Sequence, residues 1–323
     1  MRLTSEMLQK FAEDFVRRRC EEDHSIVAAF LSGSLVDDNP LWCAVPDVDV
    51  FFIHNRPPEK GHEIVPLVGE AHFDVYHHDQ GLYEPGRTLR TDALLGPLVF
   101  GARALYDPRH FFDFVQAGVR AQFDRPEYAW MRAEPRLEAA RNTWFALASM
   151  EFSAAFLVRY VQALQAAAEG VALLAGRSLT LRRFGWQLRD ALQTLGAEAL
   201  LQGFLGLSGA LEVTPAQLRD TLPAWEAAWR ACQGSQWDTV RLGYVRAGVQ
   251  VFLEGAEAPL GWWPVLISWS EAADESPQAA ESLLQVGRAL GLSDAEERRT
   301  ALDAFLDALA DVVDSWRREN GLM

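Results

Sequence analysis

The spacing of hydrophobic residues changes near residue 126, and this change constrains the fold more than any other feature of the sequence. Beyond it, apolar residues recur every three or four positions, as in the row Leu137, Ala140, Trp144 and Leu147, and runs of β-branched residues become rare. This spacing is typical of amphipathic helices that pack against one another. We therefore expect an all-α region over residues 126–323, with seven to nine helices.

Short β-prone segments dominate the first 125 residues instead. Helices and strands mixed in this way indicate an α/β or α+β domain. We therefore predict an α+β protein of two domains, residues 1–125 and 126–323, since 323 residues are enough for two hydrophobic cores. The predicted elements of the first domain are a helix over residues 5–20 and strands over residues 26–31, 47–54, 72–77 and 98–106.

The chain is strongly acidic. It has 30 lysine and arginine residues against 45 aspartate and glutamate residues, which gives a formal net charge of −15. Proteins that bind nucleic acid need clustered basic side chains to displace counterions from the phosphates. The charge balance therefore disfavours nucleic acid as a partner and favours a small or cationic one.

The cysteines and the apolar segments favour a soluble, cytoplasmic protein. Cys20, Cys43 and Cys232 are far apart and match no zinc-binding spacing, as expected in a reducing compartment. The N-terminus has no continuous apolar segment followed by a cleavage site, so we expect no signal peptide. The most apolar late stretch, residues 259–269, is too short and too rich in proline to span a bilayer, so we expect no membrane association.

Two carboxylates lie at alternate positions of an apolar strand, in the segment Asp47-Val48-Asp49-Val50. Side chains alternate between the two faces of a strand, so Asp47 and Asp49 share one face, with Cα atoms about 6.6 Å apart, while the valines face the core. Like charges this close repel each other unless a cation lies near both of them. Hard cations such as Mg²⁺ bind carboxylate oxygens, so the pair indicates a divalent-metal site.

Two further features would complete such a site. Asp74 lies in another β-prone run, and if the two strands are neighbours, three acids suffice for two metal ions about 3.5–4 Å apart. Gly33 and Ser34 follow the preceding strand, where glycine lets the backbone approach a ligand and serine offers a hydroxyl donor to a phosphate chain. This set of residues suits nucleotidyl transfer.

Taken in order, these segments resemble the motif of the nucleotidyltransferase superfamily that includes DNA polymerase β. The matching segments are Gly33-Ser34 after a strand, Asp47-Val48-Asp49-Val50 after a loop, and Phe73-Asp74-Val75. Small-molecule members, such as the kanamycin and streptomycin nucleotidyltransferases, also join a small α/β catalytic domain to a helical domain. The resemblance therefore implies a nucleotidyltransferase-type mixed sheet with flanking helices, followed by a helical domain on the substrate side.

The resemblance also implies an activity and a role for each residue. Asp47 and Asp49 would bind two Mg²⁺ ions, and Asp74 would bind the catalytic ion and help to activate the acceptor hydroxyl. Gly33 and Ser34 would hold the triphosphate. We accordingly expect an adenylyltransferase-like enzyme that transfers a nucleoside monophosphate from ATP, or from another nucleoside triphosphate, to a hydroxyl of a small molecule such as an aminoglycoside.

Other functions stay open on the sequence. The protein could be a non-catalytic or regulatory protein of the same fold, for example an antitoxin-like partner of a helical toxin. It could also be an AMP transferase that modifies proteins. Template-independent extension of a nucleic acid is a further alternative, but the net charge of −15 disfavours it.

Histidines near Asp74 invite a metal-site hypothesis that we consider weaker. His72, His77 and His78 flank Asp74 in sequence. Adjacent residues of a strand face opposite sides, so His77 and His78 cannot both face one ion. We expect partly exposed histidines near a strand end instead.

Two other groups of residues are better explained by folding than by binding. The last predicted helix carries acids at positions 303, 307, 311 and 314 opposite an apolar stripe, which indicates a solvated face. The minor alternative is that these acids border a cleft for a polyamine-like acceptor. Trp225 and Trp229 are spaced as neighbours on one helix face, so we expect them in the core.

Overall fold

The computed structural model describes residues 3–36, 46–69 and 71–323 of the chain. The chain forms two compact units, Met1–Tyr128 and Ala129–Met323, so the boundary lies three residues beyond the predicted one (128 against 125). The loop expected between the first two strands lies almost entirely outside the described residues, and so does Cys43.

The first unit contains both helices and strands. The elements are α1 (Ser5–Glu22), β1 (Ile26–Ser32), β2 (Asp47–His54), β3 (His62–Val68), β4 (Ala71–Asp79), α2 (Leu95–Gly101), β5 (Arg103–Tyr106) and α3 (Phe111–Arg120). Short 3₁₀ helices lie at Gly33–Val36, Gln80–Tyr83 and Gly86–Thr91. The predicted strand over residues 47–54 is confirmed as β2.

The five strands of the described residues form one mixed sheet with the order β3-β4-β2-β1-β5. β2 and β4 are parallel neighbours, whereas β1 pairs in the antiparallel sense with both β2 and β5. β3 pairs antiparallel with β4. A mixed sheet in one unit and a largely helical second unit together form an α+β protein, as predicted.

Helices cover both faces of the sheet in the first unit. On one face Phe15 of α1 stacks on Phe73 of β4, with ring centroids 4.4 Å apart. On the other face Phe112 of α3 stacks on Phe30 of β1, also at 4.4 Å, and Phe30 stacks on Phe51 of β2. A strand that is buried on both faces needs apolar residues at nearly every position, which explains the continuous apolar runs of β1 and β2.

The sequence analysis missed β3. Pro66 lies inside this strand, and proline, which has no amide hydrogen to donate, argues against an interior strand. β3 lies at the edge of the sheet, where one side of the strand needs no partner. The edge position therefore permits a proline, although proline counts against a strand when the sequence is considered alone.

The strand predicted over residues 98–106 is wrong in its first part. Residues up to Gly101 belong to α2, and only Arg103–Tyr106 forms a strand. Asp92 explains the helix, because its Oδ1 accepts hydrogen bonds from the backbone N–H groups of Leu94 and Leu95 at 2.8 and 2.6 Å. These bonds satisfy backbone donors at the start of the helix that would otherwise be unpaired. A prediction from the β propensity of each residue does not take such bonds into account.

The elements from residue 126 onward are helical. They are α4 (Pro126–Leu147), α5 (Ala154–Leu174), α6 (Phe184–Thr194), α7 (Ala199–Leu207), α8 (Pro215–Arg230), α9 (Thr239–Glu254), α10 (Ala258–Glu275), α11 (Pro277–Ala289) and α12 (Ala295–Glu319). Nine helices in the described residues from 126 onward agree with the predicted seven to nine.

α10 is the central helix of the second unit and packs against α5, α6, α8, α9 and α11. Trp225 and Trp229 of α8 are 0% and 2% exposed, which confirms that they belong to the core. Trp225 donates its indole N–H to Ser268 Oγ of α10 at 2.9 Å, and Trp229 donates to the carbonyl oxygen of Trp237 at 2.9 Å. Both buried indoles thus have the partner that burial requires.

Membrane-crossing helices are not found in the described part of the chain, where no helix is both long and apolar enough to span a bilayer.

Gly248 of α9 gives a stability test for the second unit. A Cβ atom at this position would lie 2.1 Å from Cγ of Arg182, a residue that is 2% exposed and whose guanidinium lies 3.5 Å from the centre of the Tyr244 ring. The buried arginine stem has little room to move aside. We expect Gly248→Ala to lower the free energy of unfolding by about 1–3 kcal/mol, measured by denaturation followed by circular dichroism.

Gly243, one turn earlier in α9, is the matched control. No atom outside the local helix lies within 4 Å of a Cβ at this position, so alanine should fit and should favour the helix by about 0.5–1 kcal/mol. Opposite signs for the two substitutions are expected. A stabilising Gly248→Ala would contradict the packing of Arg182 across this helix.

Candidate active site

The three predicted acids occupy adjacent positions on one face of the sheet. Asp47 and Asp49 are the first and third residues of β2, and Asp74 of the parallel strand β4 is the Cα partner of Asp49. Partner residues on neighbouring strands lie about 4.8 Å apart and point to the same face. His72 is the partner of Asp47 in the same way. The backbone therefore brings Asp74 beside the pair, although it lies 25 positions after Asp49 in the sequence (74 − 49 = 25).

Gly33 lies directly against the carboxylate of Asp49. It follows Ser32, the last residue of β1, which is the Cα partner of Asp49. Gly33 has φ of +70°, and a Cβ atom there would lie only 2.0 Å from Asp49 Oδ2. Both the backbone angle and the close approach require glycine, so the first residue of the Gly-Ser pair is explained by its contact with the second acid of β2.

Ser34 contacts the other acid of β2. Its hydroxyl donates to Asp47 Oδ1 at 3.4 Å, and the two residues are 8% and 6% exposed. The sequence analysis expected this hydroxyl to be offered to a phosphate chain. In the structure it is oriented towards a carboxylate instead, because the turn Gly33–Val36 folds back over the start of β2.

Asp74 is hydrogen-bonded on its other side. His62 of β3 donates from Nε2 to Asp74 Oδ1, and Tyr76 donates its hydroxyl to Asp74 Oδ2 at 3.3 Å. Asp74 is 5% exposed, so these two donors supply part of the solvation that burial removes. The sequence analysis missed His62 because it missed β3. The only local signal was an apolar-rich segment interrupted by Pro66.

The carboxylate oxygens of Asp47, Asp49 and Asp74 have the chemistry of ligands for a hard divalent cation. Ser34 contacts the carboxylate of Asp47, and His62 and Tyr76 contact that of Asp74. No group of three His, Cys, Asp or Glu side chains within residues 3–36, 46–69 and 71–323 is arranged to hold a metal ion. Binding a shared cation would therefore require the side chains of Asp47 and Asp49 to rotate towards Asp74, which aspartate can achieve between staggered rotamers without a change in the strands.

The remaining histidines of β2 and β4 form a separate cluster. His54 Nε2 and His77 Nδ1 lie 2.9 Å apart, and Ser25 Oγ lies 2.9 Å from His54 Nδ1. Burial is the largest influence on His54, His77 and His78, and it lowers the pKa of each. A histidine with a lowered pKa is neutral at pH 7, so these rings act as packed polar groups of the strand ends.

The expected partial exposure holds for two of the three histidines around Asp74. His77 and His78 are half-buried, as predicted. The expectation is wrong for His72, which is 1% exposed. His72 lies near the start of an interior strand that has a neighbour on each side, whereas the other two approach its end.

The acids of α12 have the solvated positions that the sequence predicts. Asp307, Asp311 and Asp314 are exposed. Arg141 of α4 lies 2.7 Å from Asp303 and 2.7 Å from Asp307, so it pairs with both. Half of the row is therefore compensated by an arginine of the same unit, which weakens the alternative of a binding surface for cations.

Comparisons with known proteins do not assign the chain to a family. No protein-family model matches it, and no curated protein has significant sequence similarity to it.

Proposed function

We propose that this protein is a Mg²⁺-dependent nucleotidyltransferase of the DNA polymerase β-like superfamily. It would transfer a nucleoside monophosphate from ATP, or from another nucleoside triphosphate, to a hydroxyl of a small molecule and release pyrophosphate. One observation carries the proposal: Asp74 pairs with Asp49 on a parallel strand while Gly33 lies against the Asp49 carboxylate. This meeting of three segments that are distant in sequence supports the proposal.

Asp47, Asp49 and Asp74 are the residues that would hold Mg²⁺. The bound metal supplies neutralisation of the negative charge on the phosphate oxygens during transfer. Three neighbouring carboxylates repel each other, and the repulsion is relieved by a divalent ion better than by a monovalent one. A bound divalent ion would therefore account for acids at the start of strands whose other residues are mostly apolar.

The Gly33-Ser34 turn would hold the triphosphate beside the metal ligands. The absence of a side chain at position 33 keeps the backbone within contact distance of Asp49. Ser34 already lies next to Asp47, so a modest rotation of its hydroxyl would let it donate to a phosphate oxygen instead. A single turn could in this way contact both the carboxylates and the substrate.

His62 and Tyr76 would act as positioning residues for Asp74. Their donors occupy both oxygens of its carboxylate, which restricts rotation of the side chain. A fixed orientation matters because a small displacement of a catalytic group lowers the rate strongly. The small-molecule acceptor, of aminoglycoside type or similar, follows from the resemblance together with the net charge of −15, which favours a cationic substrate.

The direct test is a transfer assay with purified protein. ATP, GTP, CTP and UTP labelled at the α-phosphate are incubated with Mg²⁺ and a panel of aminoglycosides, other polyhydroxylated small molecules and candidate target proteins. We expect label in a small-molecule acceptor together with pyrophosphate release. Label in a protein would favour the protein-modifying alternative. No transfer and no pyrophosphate with any of them, together with a stable protein partner in a pull-down, would favour the non-catalytic one.

A further inference from the structure

A cavity of about 470 Å³ lies within the second unit. Its walls come from α5, α8, α9 and α10 and from the turns that precede α6 and α9. Cavities that bind small molecules have volumes of about 300–1,000 Å³, so this one has room for a ligand. It involves none of the residues assigned above to nucleotidyl transfer.

The lining is polar and predominantly anionic. Glu271, Asp274 and Glu275 of α10 face it, against one basic side chain, Arg241, which leaves a net charge of −2 (1 − 3). An anionic cavity with neutral amide and indole groups between its charges favours a cation over an anion. The charge of −2 matches a ligand that has two or more ammonium groups.

The acids of the cavity differ in the hydrogen bonds that their carboxylates accept from neighbouring side chains. Glu275 accepts hydrogen bonds from the indole N–H of Trp237 at 2.7 Å and from the side-chain amide of Gln236 at 2.5 Å. These two bonds fix the Glu275 carboxylate in the wall. Glu271 and Asp274 lie on the same helix and are accessible to solvent through the cavity, so they are the acids placed to contact a ligand.

Glu271 is exposed to solvent, yet the protein atoms around it desolvate its carboxylate in part. It faces the cavity, but the surrounding protein atoms desolvate it, and this burial is the largest cause that raises its pKa. Glu275 and Glu169 raise the pKa further, whereas Arg241 lowers it. An ammonium group beside Glu271 would compensate for the missing water, so binding of a cation there gains more than at an open surface.

We propose that this cavity binds a linear diamine or polyamine, with Glu271 and Asp274 as the carboxylates that accept hydrogen bonds from its ammonium groups. Leu181, which is half-buried, lines the same cavity together with the edges of Trp229 and Trp237 and supplies apolar surface for the methylene segments between those groups. A polyamine has ammonium groups for the carboxylates of the cavity and methylene groups for its apolar surface. This site goes beyond the proposed transfer reaction and does not depend on it.

The test is titration calorimetry with spermidine, in the absence of nucleotide and Mg²⁺. We expect saturable binding, and we expect Glu271→Gln and Asp274→Asn each to weaken it by about tenfold, since each removes a charged acceptor. Arg241→Gln should have the opposite effect and tighten binding, because it removes the cation that competes with the ligand. Asp311→Asn, the same change of charge on an exposed acid of α12 outside the cavity, should leave the affinity unchanged.

Three results would overturn the proposal. The first is the absence of saturable spermidine binding to the wild-type protein. The second is equal affinity in Glu271→Gln and wild type, provided that circular dichroism shows the variant folded. The third is an Asp311→Asn variant that loses as much affinity as the cavity variants, which would indicate attraction by the overall negative charge. If a cavity acid proves necessary for folding, the effect of Arg241→Gln on the affinity for spermidine decides: tighter binding supports the proposal, and weaker or unchanged binding contradicts it.

Spermidine binding by a transferase-inactive Asp49→Asn variant would separate this site from the proposed reaction.

Discussion

Replacing Asp49 with asparagine is expected to lower the rate of nucleotidyl transfer by about 10³-fold or more while the fold remains intact. Asparagine has almost the same shape as aspartate but no negative charge, so it is a poor ligand for Mg²⁺. Asp49 is the central acid of the three, two residues from Asp47 along β2 and beside Asp74 across the sheet. The loss should appear in initial rates of pyrophosphate release at saturating ATP.

The stability of this variant distinguishes a catalytic acid from a structural one. Asp49 has an acid on each side, so removing its charge relieves repulsion, and the melting temperature should stay the same or rise. A structural acid would instead cost stability when it is replaced. Glu59→Gln, which removes an exposed charge from the loop after β2, is the matched control and should change neither the rate nor the melting temperature. Normal transfer by Asp49→Asn would remove Asp49 from the mechanism.

The second large effect is expected from Gly33→Ala. A Cβ atom at position 33 would overlap Asp49 Oδ2 at 2.0 Å, and the short Asp49 side chain would have to turn away. A catalytic group displaced by about 1 Å can cost about 10²-fold in rate. We therefore expect about a 10²-fold loss of transfer activity, and also a loss of stability of about 1–2 kcal/mol because alanine is strained at positive φ.

Gly69→Ala separates these two contributions. Gly69 has φ of +62°, close to the +70° of Gly33, but among the described residues no atom beyond its chain neighbours lies within 4 Å of a Cβ at this position. The two variants should therefore lose similar stability in thermal denaturation, whereas only Gly33→Ala should lose activity. Equal transfer rates in the two variants would show that the contact between Gly33 and Asp49 has no part in the reaction.

Local sequence patterns were sufficient to predict the elements whose hydrophobic spacing lies within one segment of the chain. The alternation of acidic and apolar residues in Asp47–His54 predicted both the strand and the shared face of its two acids, because the period of a strand fixes which side each residue faces. The spacing of three and four residues beyond position 126 likewise predicted the helical region.

Local patterns failed where a neighbouring element changed the preference of a segment. β3 was not predicted because it contains Pro66, which argues against a strand. Proline is tolerated at the edge of a sheet, but the sequence does not reveal that β3 is an edge strand. The segment Leu95–Gly101 has β-prone residues, yet the hydrogen bond from the Leu95 N–H group to Asp92 and the packing of buried Val99 against the sheet favour a helix. His62 was missed as a result, since its relation to Asp74 exists only once β3 and β4 pair.

Hydrophobic spacing and residue type were enough to predict a β-containing part and a helical part and to single out acids that could bind a metal. Periodicity and residue chemistry are local properties, so they can be read without a fold. Three contacts became known only from the folded chain: Asp74 pairs with Asp49, Gly33 lies against the Asp49 carboxylate, and His62 donates to Asp74. These contacts depend on strand order and register, which arise from long-range pairing between segments whose own patterns do not specify a partner.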